Sequence, residues 1–260
     1  MDDSVMQFYD QLAGAYHLIF ADWRQAGRWQ GDVLSRVISR HMGAQPLSVL
    51  DCSCGIGAQT IGLAERGYRV HGTDISAAAV ERARQEATLA GVPITFGVAD
   101  LRILDAQVDG TFDVVMSCDN ALPHLLSVDD VRLAVHNMRA KLGDGGLFLA
   151  SVRDYDALVA ERSRSTLPRV FDDADGRRVA FQVWDWLDDG RTYTVTQFIL
   201  CKKKEGAWET NSYATRYRAL LRHELDQILG DEGFADVTWL MPDESRYYQP
   251  IVTAYKRRRA

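Results

Sequence analysis

The sequence predicts an α/β fold in which a mostly parallel sheet ends in an antiparallel last strand, preceded by N-terminal helices and interrupted by an antiparallel β insertion. Three observations carry this. Between residues 47 and 152, short apolar runs alternate with helical segments, an order that implies right-handed crossovers and a parallel sheet covered on both faces. Before that stretch the apolar residues fall at helical spacing, and after Pro168 the texture becomes a meander of long strand-like runs joined by turns. With 260 residues, 47% hydrophobic and 25% charged, the chain can bury a large core in one such domain and still carry a smaller appendage.

Taken in order, Phe8, Leu12, Ala15, Tyr16 and Ile19 predict one helix, and Trp29, Val33, Val37 and Ile38 a second. Strands follow at 47–51, 69–73, 94–99, 112–117 and 146–152, with helices at 58–66, 77–90 and 129–142. The insertion reads as strands 177–187, 192–203 and 207–220, joined by turns at Asp188-Asp189-Gly190 and Glu205-Gly206. A helix at 222–231 and strands at 235–240 and 249–255 complete the main sheet. The expected organisation is an N-terminal helical lid (1–45), a cofactor-binding core (46–165), a β insertion over the substrate (166–220) and a C-terminal completion of the core (221–260).

Charge and composition narrow the partners. A formal net charge of −6 disfavours a phosphate-tracking surface, so a small molecule is expected and a nucleic acid is not. The basic run from Lys256 to Arg259 reads as a solvated tail. No apolar run approaches the roughly 18–20 residues that span a bilayer, and Met1-Asp2-Asp3 lacks a signal peptide's order, so a cytoplasmic chain without a membrane partner is expected. Cys52, Cys54, Cys118 and Cys201 are too scattered for a disulfide framework or a zinc site and read as reduced thiols; no metal is expected. Oligomeric state is left open.

The strongest local signal is Val49-Leu50-Asp51-Cys52-Ser53-Cys54-Gly55-Ile56-Gly57, a strand ending in an acid and turning through glycines into a helix. Glycines let the backbone approach a ligand, and the helix start offers unpaired N–H groups. A dinucleotide site needs a third glycine where this chain has Thr60. Asp51 would also repel a pyrophosphate, which favours a phosphate-free, cationic nucleoside cofactor. Asp74, seventeen positions after Gly57, closes the next strand where a carboxylate accepts both ribose hydroxyls, and Asp100 follows the third strand where it can accept the adenine amino group.

In this order the residues resemble the class I S-adenosylmethionine-dependent methyltransferases over about 47–152, except that Ser53 stands where the family's loop begins with Gly. The resemblance implies a Rossmann-like sheet and S-adenosyl-L-methionine as cofactor, released as S-adenosyl-L-homocysteine. It implies a cofactor site of Asp51, Ser53, Gly55, Gly57, Asp74, Ile75, Asp100, Leu101 and Cys118.

A closer resemblance lies in Cys118-Asp119-Asn120-Ala121-Leu122-Pro123-His124-Leu125 and Val152-Arg153-Asp154-Tyr155-Asp156, both similar to the glycine and glycine/sarcosine N-methyltransferases. It implies that Asn120 lies beside the methyl-transfer site and that Arg153 binds a substrate carboxylate. Asn120, His124 and Arg153 are the expected catalytic residues, and Tyr16, Asn120 and Arg153 the expected substrate contacts. His124 is read as either an amine base or a structural imidazole. Both loops would lie outside the C-terminal strand edges, where open α/β sheets build their sites.

The aromatic residues of the second half, among them Trp184, Trp186, Tyr193, Trp208, Tyr213, Tyr217, Trp239, Tyr247 and Tyr248, read mainly as packing and partly as pocket walls. The implied reaction is direct attack of a neutral nitrogen of a small polar or heterocyclic acceptor on the methyl group, a glycine-like amine being favoured. Oxygen or carbon methylation of a small aromatic compound, a non-catalytic cofactor-binding protein and an NAD-dependent oxidoreductase remain as alternatives. The metal-dependent catechol-type pattern, an acid after the fourth strand and an Asp-Asn pair after the fifth, is not the order found here.

Overall fold

A central strand covered on both faces needs apolar residues at consecutive positions, and the middle of this chain supplies them. The structure, a computed structural model, describes residues 4–43, 47–173, 176–203 and 206–257. Met1 to Asp3, Glu205 of the second expected turn, and Arg258 and Arg259 of the basic run lie outside the described residues. Helices α1 (Ser4–Leu12) and α2 (Trp23–Met42) come first, separated by a 3-10 turn at Tyr16–Ile19. The core then alternates β1 (Ser48–Asp51), α3 (Ala58–Ala64), β2 (Arg69–Asp74), α4 (Ala77–Ala90), β3 (Thr95–Val98), α5 (Leu104–Gln107), β4 (Phe112–Ser117), α6 (Val128–Ala140) and β5 (Leu142–Ser151). After α7 (Tyr155–Glu161) come β6 (Arg169–Asp173), β7 (Gly176–Trp186), β8 (Thr192–Lys202) and β9 (Trp208–Arg218); α8 (Arg222–Asp231), β10 (Phe234–Leu240), α9 (Pro242–Ser245) and β11 (Ile251–Lys256) close the chain.

The main sheet has seven strands in the order β10-β11-β5-β4-β1-β2-β3. β1 to β5 run parallel, and β11 lies antiparallel to both β5 and β10. Successive residues serve opposite faces. Leu50, Val115 and Phe148 pack toward α6 and α8, whereas their neighbours Val49, Val114 and Leu147 pack on Val33, Leu34, Val37 and Ile38 of α2. Among the described residues, no helix is long and apolar enough to cross a membrane.

The class I α/β architecture is as expected, with local differences. α1 stops at Leu12, so Tyr16 and Ile19 lie in the 3-10 turn. Trp29 is off the buried stripe of α2, 39% exposed, with its ring stacked on Tyr247 at 5.9 Å. The insertion forms a separate sheet of four strands, not three, because Arg169–Asp173 pairs with β7. α7 was also not foreseen; Asp154 starts it by accepting a hydrogen bond from the Ala157 N–H.

Two contacts set the position of the N-terminal segment. Asp10 accepts hydrogen bonds from Ser76 Oγ at 2.5 Å and the Ala78 N–H at 3.2 Å at the start of α4. Arg178 on β7 donates to the carbonyls of Leu18 (2.9 Å) and Phe20 (2.6 Å), tying the 3-10 turn to the second sheet. α1 and the four-stranded sheet therefore stand together, with Phe8 and Leu12 packed on Ile199.

α2 reaches α3 through glycines. A Cβ on Gly31 would lie 2.5–2.7 Å from backbone atoms of Gly62, whereas one on Gly14 would meet nothing within 4 Å. Backbone cannot yield as a flexible side chain does, so Gly31→Ala is expected to destabilise the fold by about 1–3 kcal/mol through forced separation of the two helices. Urea unfolding of Gly31→Ala beside Gly14→Ala checks this; equal midpoints would show that the close approach does not matter.

Candidate active site

The loop after β1 is built around a buried acid. Asp51, 1% exposed, accepts hydrogen bonds from Thr60 Oγ1 at 2.8 Å and the Ser53 N–H at 3.3 Å, and burial pushes its pKa up to about 7. Thr60, the residue that breaks the dinucleotide pattern, thus clamps the loop to α3. Gly55 has φ +52° and open space where a Cβ would be, while its N–H donates to Asp74 Oδ2 at 2.8 Å. Gly57, at φ +98°, forms the left-handed cap of α3, and a Cβ there would press on Ile61. Ser53, Gly55, Asp74, Ile75, Asp100, Leu101 and Cys118 line one cleft of about 1130 Å³ counted out to solvent; Asp51 and Gly57, also expected as cofactor contacts, lie beneath its floor.

Asp74 ends β2 with both oxygens aimed by backbone, Oδ2 by Gly55 and Oδ1 by the Ser76 N–H at 2.9 Å; burial raises its pKa from the usual value. Asp100 differs. Burial works to raise its pKa, but Arg102 grips both oxygens, at 3.0 and 2.7 Å, and holds the carboxyl below its ordinary range. Arg102 was not foreseen; it lies two residues past the acid on a short 3-10 turn. The cleft lining holds Asp74, Asp100, Asp119 and Asp130 against Arg102 alone, with no lysine among the described residues. Such a surface disfavours phosphate and favours a cation.

At the end of β4 the chain makes a bend in which Asp119 (φ 62°) and Asn120 (φ 70°) are both left-handed, a conformation that these two residue types tolerate. Ser151 at the end of β5 holds the bend: its Oγ accepts from the Asp119 N–H at 2.9 Å and its carbonyl from the Asn120 N–H at 3.0 Å. Asn120 Oδ1 in turn accepts from the Arg153 N–H at 3.1 Å. Asn120 is 2% exposed and lies behind the wall, lining neither cavity. Asp119 lines both. Its Oδ1 is buried without a hydrogen-bond partner among the described residues, and burial, partly offset by Gln59, Arg153 and Tyr247, raises its pKa to about 6.

The second cavity, about 2100 Å³ counted out to solvent, lies between α1, α2, α7 and the four-stranded sheet and meets the cleft at Tyr9, Tyr16 and Asp119. Arg153 reaches into it from the end of β5. Its Nη1 donates to Tyr193 Oη and its Nη2 to Gln182 Oε1, both at 3.0 Å, and its guanidinium carbon stands 4.9 Å from the Trp184 ring and 5.2 Å from that of Tyr217. Burial opposes its charge, yet the surrounding phenols of Tyr193, Tyr155 and Tyr217 keep its pKa above the ordinary value. Among the described residues no carboxylate forms an ion pair with it, so it is a cation paired with neutral groups.

His124 was open between an amine base and a structural imidazole. Its Nε2 accepts from Tyr9 Oη at 2.9 Å and its Nδ1 faces the Arg216 carbonyl at 3.2 Å, so both nitrogens are engaged and the imidazole is neutral. Burial pulls its pKa down to about 3, which favours the structural reading. Tyr9 and Gln182 were missed because each reaches the site from an element whose position depends on long-range packing. Gln59 and Arg102, by contrast, lie two residues past Gly57 and Asp100 and were within reach of a local reading.

Residues 49–146 match the family described as a methyltransferase domain. A glycine/sarcosine N-methyltransferase of Parasynechococcus marenigrum is 33% identical over 138 residues, 53% of this chain and 48% of that protein. One from Aphanothece halophytica is 23% identical over 88% of this chain and 80% of its own length. Among solved structures, an S-adenosylmethionine-bound amino pentose methyltransferase from Micromonospora echinaspora superposes with TM-score 0.72 at 19% identity, covering 94% of this chain and 95% of that one. The chain thus has the class I S-adenosylmethionine-dependent methyltransferase fold and resembles the glycine/sarcosine group; its alignment spans about half the length of the first relative.

The state of His124 has a stability consequence. Above pH 6.5 it is neutral folded and unfolded; below, the unfolded chain takes up a proton that the folded site refuses until about pH 3, so stability falls with acidification across that window. Between pH 7 and 4.5 this residue is expected to contribute about 2–3 kcal/mol of the acid loss. Urea unfolding of wild type and His124→Asn at both pH values measures it; an unchanged difference would show that the imidazole titrates freely.

Proposed function

We propose that this chain transfers the methyl group of S-adenosylmethionine to the amine nitrogen of a small zwitterionic acceptor, a glycine-like amino acid being the nearest match. The observation that carries the reading is Arg153, a partly buried cation without a carboxylate partner among the described residues, set in the chamber that meets the cofactor cleft at Asp119. The relatives named as glycine/sarcosine N-methyltransferases support it.

The cleft fits the cofactor. Open space at Gly55 leaves room for a ligand against the backbone, and the acidic lining suits a cationic, phosphate-free nucleoside. Asp74 would take the ribose hydroxyls, Ile75 and Leu101 the faces of the adenine, and Asp100 its amino group, with Ser53 and Gly55 at the amino-acid end. When bound, S-adenosylmethionine supplies a methyl group on a positively charged sulfur, so no covalent enzyme nucleophile is needed.

The chain's own groups then align the acceptor. Arg153 holds the carboxylate by parallel N–H donors, and Asp119 Oδ1 accepts a hydrogen bond from the amine. Alignment of this kind can supply about 7–11 kcal/mol of barrier lowering. Of the described residues, those within 1–45 and 166–220 act as the cover, and those within 46–165 and 221–260 as the core. Oxygen or carbon methylation of an aromatic acceptor is the second reading, favoured by the Trp184 and Tyr217 walls. The ammonium of the zwitterion loses a proton to solvent before attack; the free amine then forms the N–C bond as the C–S bond breaks to leave neutral S-adenosylhomocysteine. No base at the site is required, whereas a phenol would need one and the imidazole here is already engaged; nitrogen is therefore preferred.

Two variants separate the halves of the site. Asp74→Ala should weaken S-adenosylmethionine binding about ten- to a hundred-fold, the equivalent of roughly 1.5–3 kcal/mol for hydrogen bonds to a charged acceptor; unchanged titration calorimetry on a folded variant would refute the ribose assignment. Arg153→Ala should keep cofactor affinity and lower kcat/KM for amino-acid acceptors at least tenfold. Equal kcat/KM, or turnover only of uncharged rings, would refute the carboxylate grip.

A further inference from the structure

Resting on that zwitterion reading, we infer that the acceptor is an amino acid with a large, extended side chain bearing a hydrogen-bond donor, and not glycine itself. Arg153 and Asp119 account for a carboxylate and an amine, which is all that glycine offers. The chamber continues well beyond them. Leaving out open solvent, its volume of about 880 Å³ stands at the upper end of the roughly 300–1,000 Å³ of most small-molecule sites, far more than glycine fills.

What lies in that extra space is selective. Gln30 of α2 lines the chamber, is 2% exposed, and its Oε1 is buried with no hydrogen-bond partner among the described residues. A buried acceptor left unsatisfied is costly, so a ligand donor there is the natural complement. Gln30 stands on α2, outside the hydrogen-bond sets of Arg153 and Asp119, so an acceptor that also serves it needs a further donor group besides its amine. The walls along which an arm carrying that donor would run are apolar and aromatic: Phe181, Trp184, Tyr217 and, toward the mouth, Trp29 and Tyr248, which are 39% and 47% exposed. Flat, amphipathic rings favour an aromatic or long apolar arm with a polar end.

The test is a comparison of kcat/KM, read by S-adenosylhomocysteine release, for glycine, phenylalanine, tyrosine and phenethylamine. Phenylalanine and tyrosine are expected to exceed glycine at least tenfold, with tyrosine ahead through its hydroxyl donor, and phenethylamine to fall far below phenylalanine. Gln30→Leu should erase the advantage of tyrosine over phenylalanine without lowering the melting temperature, since it removes an unsatisfied buried group. Ala157→Trp, which narrows the chamber from α7, should lower the phenylalanine-to-glycine ratio at least fivefold. Glycine matching or exceeding the larger amino acids would overturn this inference and leave the N-methyltransferase reading standing. Phenethylamine surpassing phenylalanine would overturn both.

Discussion

The left-handed bend at Asp119-Asn120 is the constraint on which the rest of the site depends. Two consecutive residues in that region are held because Ser151 binds the N–H of each, one through its hydroxyl and one through its carbonyl. Ser151 Oγ also donates to Gln249 Oε1 at 3.1 Å, so the segment before β11 joins the same knot. The bend turns Asp119 to where cleft and chamber meet, and Asn120, locked behind it, fixes the start of the Arg153 segment. Strain of this kind persists only where surrounding contacts over-determine it, and it is concentrated where a side chain must be aimed.

The enclosure of that point follows from packing across elements distant in sequence. Tyr9 on α1 reaches His124 after β4, while Asp10 on the same helix caps α4 beside Asp74. Arg178 fastens the N-terminal turn to the four-stranded sheet. A segment held by polar contacts to the core and to the second sheet can roof the cleft without a large apolar interface of its own. The same economy explains why His124 is engaged on both nitrogens: it joins Tyr9 of α1 to the Arg216 carbonyl of β9.

The sheet was legible because its signals are local. Alternating inward pairs such as Val114 and Val115, and turns such as Gly55 and Gly57, are readable from spacing alone. β6 was not, because Arg169-Val170-Phe171 is short, polar at its flanks and placed at a sheet edge, where pairing with β7 decides its conformation. Trp29 misled for a related reason: its helical phase matched the core stripe, but Tyr247 and Tyr248, over two hundred residues later, provide it with a different surface. At the site, the strand-end acids and Arg153 stand at the mouths of the cavities because the fold puts strand ends there. The exchange of prominence between Asn120 and Asp119 depends on two backbone angles that residue identity alone does not specify.

The central claim is that the cofactor cleft delivers its reactive end to the Asp119 bend, where it opens on the chamber of Arg153. A crystal structure with S-adenosylhomocysteine bound tests this most directly. The account predicts the sulfur at the narrowing between Tyr9, Tyr16 and Asp119, with the ribose on Asp74 and the adenine between Ile75 and Leu101. A ligand bound with its sulfur turned away from Asp119, or seated outside this cleft, would contradict it.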